Sequence, residues 1–338
     1  PTGLSPGHEG RTNGHGRKKT RRRRHEYPRT TQRRIGKPSA AQPAAGVDAS
    51  ALRAPAPLSG ALGAIEKPMF PEDHVNYRYK YLPFSEGSLK ALTDGTMKFT
   101  SPAEFNDPFD CLPHYDLESI KQIDKVRPDI FRRAARIRGY SPAERIRRRP
   151  QLIAELRQRI ASGDFVRDLM ANIGVVSLST DALNILMWSH YAEFHRGLVL
   201  EFRIPILGYK EDVPLAIDRL LPNPVRYTHQ RPHIKMGLED PQDLVNKCLL
   251  TKSVDWEYEK EERVIDHVRG PGIFSYRRNE ILSSVIAGLR MTDQNMSRLK
   301  SIVVGLSSEM PNLKLYRAEV HTGTFDLYVP GHPSLGKD

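Results

Sequence analysis

At 338 residues, 38% of them hydrophobic and 8% aromatic, the chain is long enough to bury a core in one large domain or two small ones. The formal net charge of +12 is unevenly spread: residues 1–50 carry 12 Lys or Arg against Glu9, Glu26 and Asp48, which leaves +3 for the other 288. Cys111 and Cys248 lie far apart with no CxxC spacing, which excludes a thiolate zinc site and argues against a disulfide framework. No apolar run reaches the ~18–20 residues of a membrane span, and no apolar stretch follows the charged N-terminus as in a secretory signal. These absences point to the cytoplasm, where thiols stay reduced.

Residues 1–68 read as a disordered leader. Arg17-Lys18-Lys19 and Arg21 through Arg24 form a like-charge block, and residues 38–64 are rich in Pro, Ala and Gly without a hydrophobic period. One reading is a basic arm that binds nucleic acid through phosphates. The other treats the leader as sequence upstream of a start at Met69, the first methionine. Residues 69–338 are then a single α+β domain.

In chain order, Tyr77–Leu82 alternates like a half-buried strand, Ser85 caps a short helix over Glu86–Leu92, and Gly95 stops it. Thr96–Thr100 is a second strand, followed by a loop punctuated by Ser101-Pro102 and Asn106-Asp107-Pro108. Residues 118–172 favour helices broken at Pro128, at Gly139–Pro142 and at Pro150, and their arginines suit a solvated surface more than a basic docking face. Strand Ile173–Ser179, helix Leu183–Phe194 and strand Gly197–Phe202 follow. A short strand at Val225–Tyr227, helix Pro241–Lys252 and strands Arg263–Val268 and Ile281–Ala287 come next. Thr292 caps a helix to about Ile302, and Leu313–Val320 with Phe325–Val329 form a terminal hairpin-like pair. Strands and helices mix without regular βα alternation, which predicts an α+β fold with a mixed sheet and inserted helices.

Four segments carry candidate chemistry. Tyr79 and Tyr81 share one face of the first strand, with Lys80 opposite, and either pack at the core's rim or form an aromatic wall for a planar ring. In Phe105–Asp110 the phenylalanines anchor a loop; Asp107 and Asp110 serve turn chemistry or hold a ribose or metal. On a helix, Asn184, Trp188, Tyr191 and His195 fall on one aromatic yet polar face, either buried under a sheet or binding a ligand. His190 points elsewhere, so no i,i+4 zinc pair forms. If Trp256–Arg263 is extended, Glu259, Glu261 and Arg263 share a face as an ion-pair network or as a catalytic acid with its partners.

These segments, in this order, resemble a bacterial family designated domain of unknown function 2971. The matching stretches are Tyr79–Tyr81, Phe105–Asp110, Ser177–Ser179, Met187–Ala192 with His195-Arg196-Gly197, and Trp256–Arg263, spanning about residues 77–290. The opening strand, short helix and second strand ending in Ser101-Pro102 also look like the first unit of ADP-ribosyltransferase-type folds, which bind NAD in a cleft between two small sheets. That likeness implies a split sheet and NAD as substrate, with no bound cofactor and no metal. It makes Glu261 the late catalytic carboxylate and Glu259 its Glu-x-Glu partner. Tyr79, Lys80 and Tyr81 would meet NAD from the first strand, Trp188 and Tyr191 would offer aromatic surface, and His195 and Arg263 complete the candidate binding set. Two departures stand: Ser177-Leu178-Ser179 is a loose substitute for a Ser-Thr-Ser, and the first strand carries no plain His or Arg at that position.

Three functions follow: an NAD-using transferase of a defence or toxin system, a non-catalytic sensor or partner-binding module of a defence system, and a nuclease needing a metal held by Asp107, Asp110 and Glu261. None requires a membrane partner.

Overall fold

The computed structural model describes residues 75–205 and 213–336, which fall within one compact unit. The leader and its charge block lie outside the described residues.

Strand β1 (Val75–Leu82) leads into helix α1 (Glu86–Thr93), strand β2 (Thr96–Phe99) and the short β3 (His114–Asp116). A helical insertion follows: α2 (Ile123–Val126), α3 (Pro128–Ile137), α4 (Pro142–Arg147), α5 (Arg149–Ala161) and α6 (Asp164–Met170). Then come β4 (Gly174–Ser179), α7 (Ile185–Tyr191), β5 (Leu198–Pro205), α8 (Val213–Asp218), β6 (Asn223–Pro224), β7 (Arg226–Thr228), β8 (His233–Lys235), α9 (Pro241–Leu249) and β9 (Thr251–Ser253). The chain closes with β10 (Glu261–Asp266), β11 (Gly272–Ser275), α10 (Arg278–Ile281), β12 (Leu282–Ala287), α11 (Asp293–Gly305), β13 (Lys314–Arg317), β14 (Glu319–Val320) and β15 (Leu327–Tyr328). The class is α+β, as expected.

Local chemistry explains most of these boundaries. Ser85 accepts from Ser88 N at the start of α1, Thr292 accepts from Asn295 N at the start of α11, and Ser141 with Glu144 closes a capping box on α4. Pro128, Pro142, Pro150 and Pro241 each sit in a first helical turn, where a missing N–H costs nothing. The insertion's arginines pair locally: Arg149 with Asp124, Arg138 with Glu155 and Arg159 with Asp168.

Seven strands form the main sheet in the order β13-β12-β5-β1-β4-β10-β6, antiparallel except for β12 beside β13. One face packs Leu200, Phe202, Val264 and Val285 against α1 and α11; the other packs Tyr81, Val199 and Ile286 against α7 and the C-terminal segment. A third core joins the helical insertion to α9 and β8 through Ile120, Ile160, Ile234 and Leu249. At roughly 1.5–3 kcal/mol for each large side chain buried, these cores hold the sheet.

The sheet is nearly two sheets. β1 and β5 pair along all eight residues, but β1 meets β4 at a single register pair, Tyr79 with Ser179. The far end of β4 bonds instead to Thr100, whose N–H and carbonyl exchange 2.9 Å hydrogen bonds with Val175. A four-stranded half and a three-stranded half therefore splay apart from one shared rung.

Three expectations shift. Helix α7 ends at Tyr191, three residues before the expected Phe194, because Glu193, Phe194 and His195 adopt φ of +51°, +55° and +69°. That turn returns the chain to β5 through Gly197, where any Cβ would lie 2.2 Å from the Leu82 carbonyl oxygen. Helix α9 stops at Leu249, so Lys252 sits in β9, beside β7. The C-terminal pair is also redistributed: β13 joins the main sheet, and only β14 pairs with β15.

Candidate functional site

The registers align one polar residue on each of five adjacent strands. Ser284 on β12 faces Glu201 on β5, which faces Tyr79 on β1, then Ser179 on β4 and Glu261 on β10. Antiparallel partners share a face, so this row runs across one side of the sheet. At its centre, where the half-sheets separate, lies a cavity of about 140 Å³. Its walls include Tyr79, Lys80 and Tyr81, the serines of β4, Asn106 and Asp110, Tyr191 on α7, and Lys252, Glu259 and Glu261.

The β10 end of the row is a dense ion network. Asp110, Glu259 and Glu261 converge on the Lys252 ammonium, which contacts Glu261 at 3.0 Å, Asp110 at 3.6 Å and Glu259 closely. Arg263, fully buried, donates to both oxygens of Glu261 at 2.9 and 3.0 Å and to Asp110 at 2.6 Å. Its remaining N–H groups go to the Leu249 carbonyl and the Cys111 sulfur, so all five donors of the guanidinium are engaged. Burial pushes the Glu261 carboxyl up, but the Arg263 and Lys252 charges outweigh it and bring it down to about 2. Lys252 is moved above its ordinary range: desolvation opposes its charge, and the three carboxylates overcome that.

These charges do not cancel in contact. Three carboxylates face two cations, leaving one negative charge over. The balancing group is Lys80, whose Nζ donates to the Ser177 carbonyl at 2.8 Å across the opening between β1 and β4. Desolvation lowers its ammonium to about 8 despite attraction from Glu261 and Glu259. Near neutral pH the cavity thus holds a carboxylate fixed as an anion beside an amine that gives up its proton readily.

Tyr191 closes the α7 wall. Its hydroxyl donates to Glu259 at 2.6 Å, and burial together with that bond pushes its pKa up, keeping it a donor. Asn184 caps α7 with its side-chain oxygen and uses its amide to donate to the Tyr258 carbonyl, tying the helix to the Glu259 turn. That turn is a 3-10 helix, Val254–Glu259, ended by Lys260 at φ +44°. Glu259 therefore reaches the cavity from a helical end and not, as expected, from the face of a strand; Glu261 and Arg263 alone share that face.

The other end of the row is capped from the C-terminal segment. Glu201 accepts from Ser284 at 2.6 Å and from His332 Nε2 at 3.1 Å, and the Tyr79 hydroxyl lies 3.4 Å away. His332 Nδ1 accepts from the backbone N–H groups of Ser334 and Leu335, which fixes the ring proton on Nε2. Burial raises the Glu201 carboxyl, but the His332 and Ser284 hydrogen bonds leave it below its usual range.

Of the residues chosen from sequence, Glu261, Glu259, Tyr79, Lys80, Tyr81 and Tyr191 line this one cavity. Trp188, Arg263 and His195 do not. Trp188 is fully buried, donates to the Ala182 carbonyl at 2.8 Å and packs edge-on against Tyr81. Arg263 has no donor left for a ligand. His195 leaves the helical face at the positive-φ turn and stacks behind Trp188, in the wall of a different cavity. In the Phe105–Asp110 loop, Asp107 accepts from Phe109 N in a tight turn, and Phe105 covers Arg263. Phe109 is 61% exposed and does not anchor the loop.

Sequence reading missed Lys252, hidden by an overlong helix, and the Glu201–His332–Ser284 cap. Glu201 left a signal, a lone carboxylate inside the otherwise apolar stretch Leu198–Phe202. Among the described residues no group of three or more His, Cys, Asp or Glu is arranged to hold a metal ion, and the converging carboxylates already surround Lys252. The chain matches no family model, no curated protein and no solved structure.

Proposed function

We propose that this cavity takes the nicotinamide–ribose end of NAD and supports transfer of the ADP-ribosyl group, the reading implied by the likeness to ADP-ribosyltransferase-type folds and to domain of unknown function 2971. The observation that carries it is the break in the sheet. Two half-sheets diverge from the Tyr79–Ser179 pair, and the late Glu-x-Glu, the first-strand Tyr-Lys-Tyr and Tyr191 all face the space between them.

The chemistry asks for such a set. The glycosidic C–N bond breaks with its electron pair leaving on nicotinamide, and the ribose becomes an oxocarbenium cation that a nucleophile then captures, releasing a proton. Glu261, held ionised by Arg263 and Lys252, is the carboxylate that would stabilise the positive charge developing on the ribose in the transition state. Tyr79, Tyr81 and Tyr191 offer aromatic surface to the ring. At about 140 Å³ the cavity is smaller than the ~300 Å³ at which drug-sized pockets begin, so the adenosine half would lie outside it.

A second reading has its own support: both Glu261 oxygens are already saturated, as in a network that only fixes β10. A non-catalytic groove would keep that network and use the aromatic wall alone. Nicotinamide release from NAD, followed in the full chain, separates the two. The transferase reading predicts release that drops by about 100-fold or more in Glu261→Gln, as when a charge-stabilising group is removed. Tyr191→Phe, which leaves every charge in place, should lower release by a smaller factor. Wild-type protein that neither binds NAD nor releases nicotinamide would remove the reading, and NAD bound without release would favour the groove.

A further inference from the structure

Two lysines line the cavity between the half-sheets, and their surroundings are opposite. Lys252 is ringed by carboxylates: Glu259 closely, Glu261 at 3.0 Å and Asp110 at 3.6 Å. No described carboxylate lies within ion-pair distance of Lys80, whose Nζ donates to the Ser177 carbonyl at 2.8 Å. The register explains the difference. With Tyr79 opposite Ser179, an unbroken ladder would set Lys80 against Leu178 and Tyr81 against Ser177, but the pairing stops at the first rung. The Lys80 side chain reaches into the gap that the missing rungs leave, half-buried and on the cavity wall.

Its neighbours in the wall have little left to offer a ligand. The Tyr81 hydroxyl donates to the Asp181 carbonyl at 2.8 Å, Ser179 to the Glu259 carbonyl at 2.7 Å, and Tyr191 to the Glu259 carboxylate at 2.6 Å. Lys80 differs in kind. Desolvation, outweighing attraction from Glu261 and Glu259, lowers its ammonium to about 8, so near neutral pH part of the population is free amine. That amine gives one N–H to Ser177 and keeps a lone pair that no group in the wall uses. A desolvated, unprotonated lysine is a nucleophile toward carbonyl carbon.

We propose that Lys80 is a nucleophile that condenses with a small, uncharged aldehyde in this cavity to form a protonated imine. Nζ bonds to the carbonyl carbon, the carbonyl π pair moves to oxygen, and two of the three ammonium protons follow it. The oxygen then leaves as water while the nitrogen lone pair closes the C=N bond. Ammonium and aldehyde thus become iminium and water, with charge conserved.

Conservation of charge is what selects an aldehyde. Asp110, Glu259 and Glu261 exceed Lys252 and Arg263 by one negative charge, and Lys80 balances it. An acyl donor would leave a neutral amide at that position, and an anionic substrate would add to the surplus; an iminium keeps the balance. Size sets the other limit, since about 140 Å³ is close to the ~150 Å³ of a cavity that holds benzene. This chemistry is independent of whether NAD enters the same space.

Propanal with cyanoborohydride, applied to the full chain near neutral pH, tests it. The reductant converts the imine to a permanent propyl amine, which peptide mass spectrometry reads lysine by lysine. Lys80 should be alkylated at least about tenfold faster than the exposed Lys90 and Lys300, because more of it is unprotonated. Pyridoxal phosphate, larger and anionic, should mark the exposed lysines under the same conditions and spare Lys80. Because each chain carries its own control lysines, no variant has to fold for the comparison to be made. Lys80 modified no faster than Lys90, or modified equally well by both aldehydes, would overturn the proposal and leave Lys80 as a bridge across the split sheet.

Discussion

The two cavities on either side of α7 solve opposite problems. The polar one, between the half-sheets, is small and crowded with charge, and nearly every donor and acceptor in its wall is already used by a neighbour. The apolar one is larger and open to solvent, with Arg290 and Asp326 exposed at its edge and the buried His195 Nδ1 without a hydrogen-bond partner among the described residues. The first is therefore built for rigidity and a fixed field, which suits chemistry on charge that develops at one place. A single short helix, capped by Asn184 and ended by a strained turn, keeps them apart.

The largest expected effect comes from breaking the polar side. Lys252→Met leaves Glu259 with no cation in contact and Asp110 and Glu261 with Arg263 alone, and uncompensated buried charge of this kind costs about 3–5 kcal/mol. Urea unfolding should show that loss. Next comes Glu201→Leu, which strands the donors of Ser284 and His332 at the other end of the row and should cost about 1–3 kcal/mol by the same measurement. Leu186→Trp, on the apolar side, should change stability by less than about 0.5 kcal/mol, because its side chain is half exposed and meets open space.

The cavities also separate by pH. Glu261 has a folded pKa of about 2 against an ordinary 4.5, so the unfolded chain binds the proton more readily between those values. Its stabilising contribution is complete above about 4.5 and disappears as the pH falls toward 2. Lys80 has a folded pKa of about 8 against 10.5, so the unfolded chain again holds more protons in that window, and stability from this group rises with pH from 8 to 10.5. Stability curves of wild type and Lys80→Met should diverge over that alkaline range and nowhere below it. On the apolar side His195 is held below its ordinary value, so its contribution weakens as the pH falls through the ordinary histidine range.

Much of this was legible in the residues, and the limit is physical. Caps and prolines mark helix starts locally, so Ser85, Ser141, Thr292 and Pro128 gave boundaries that hold to within a residue or two. The Tyr-Lys-Tyr and Glu-x-Glu segments stood out because charge and aromatic character sit where a core pattern would be apolar. Register is not local, however. The row from Ser284 to Glu261 exists only once five strands are aligned, and no spacing along the chain encodes it. His195 was misplaced because a helical wheel assumes the helix continues, and three left-handed residues without a glycine among them give no warning. Lys252 was lost for a related reason: a favourable helix pattern ran past Leu249, and pairing with β7 overrode it.

On the transferase reading, the opening between the half-sheets receives the nicotinamide end of NAD while the adenosine stays outside. Saturation-transfer NMR of NAD with the full chain measures which protons of the ligand touch protein. Binding in that orientation gives the strongest transfer to the nicotinamide ring and its ribose, weak transfer to adenine, and loss of the ring signal in Tyr79→Trp, which fills the cavity. Strongest transfer to adenine, or ring transfer that survives Tyr79→Trp, would contradict it.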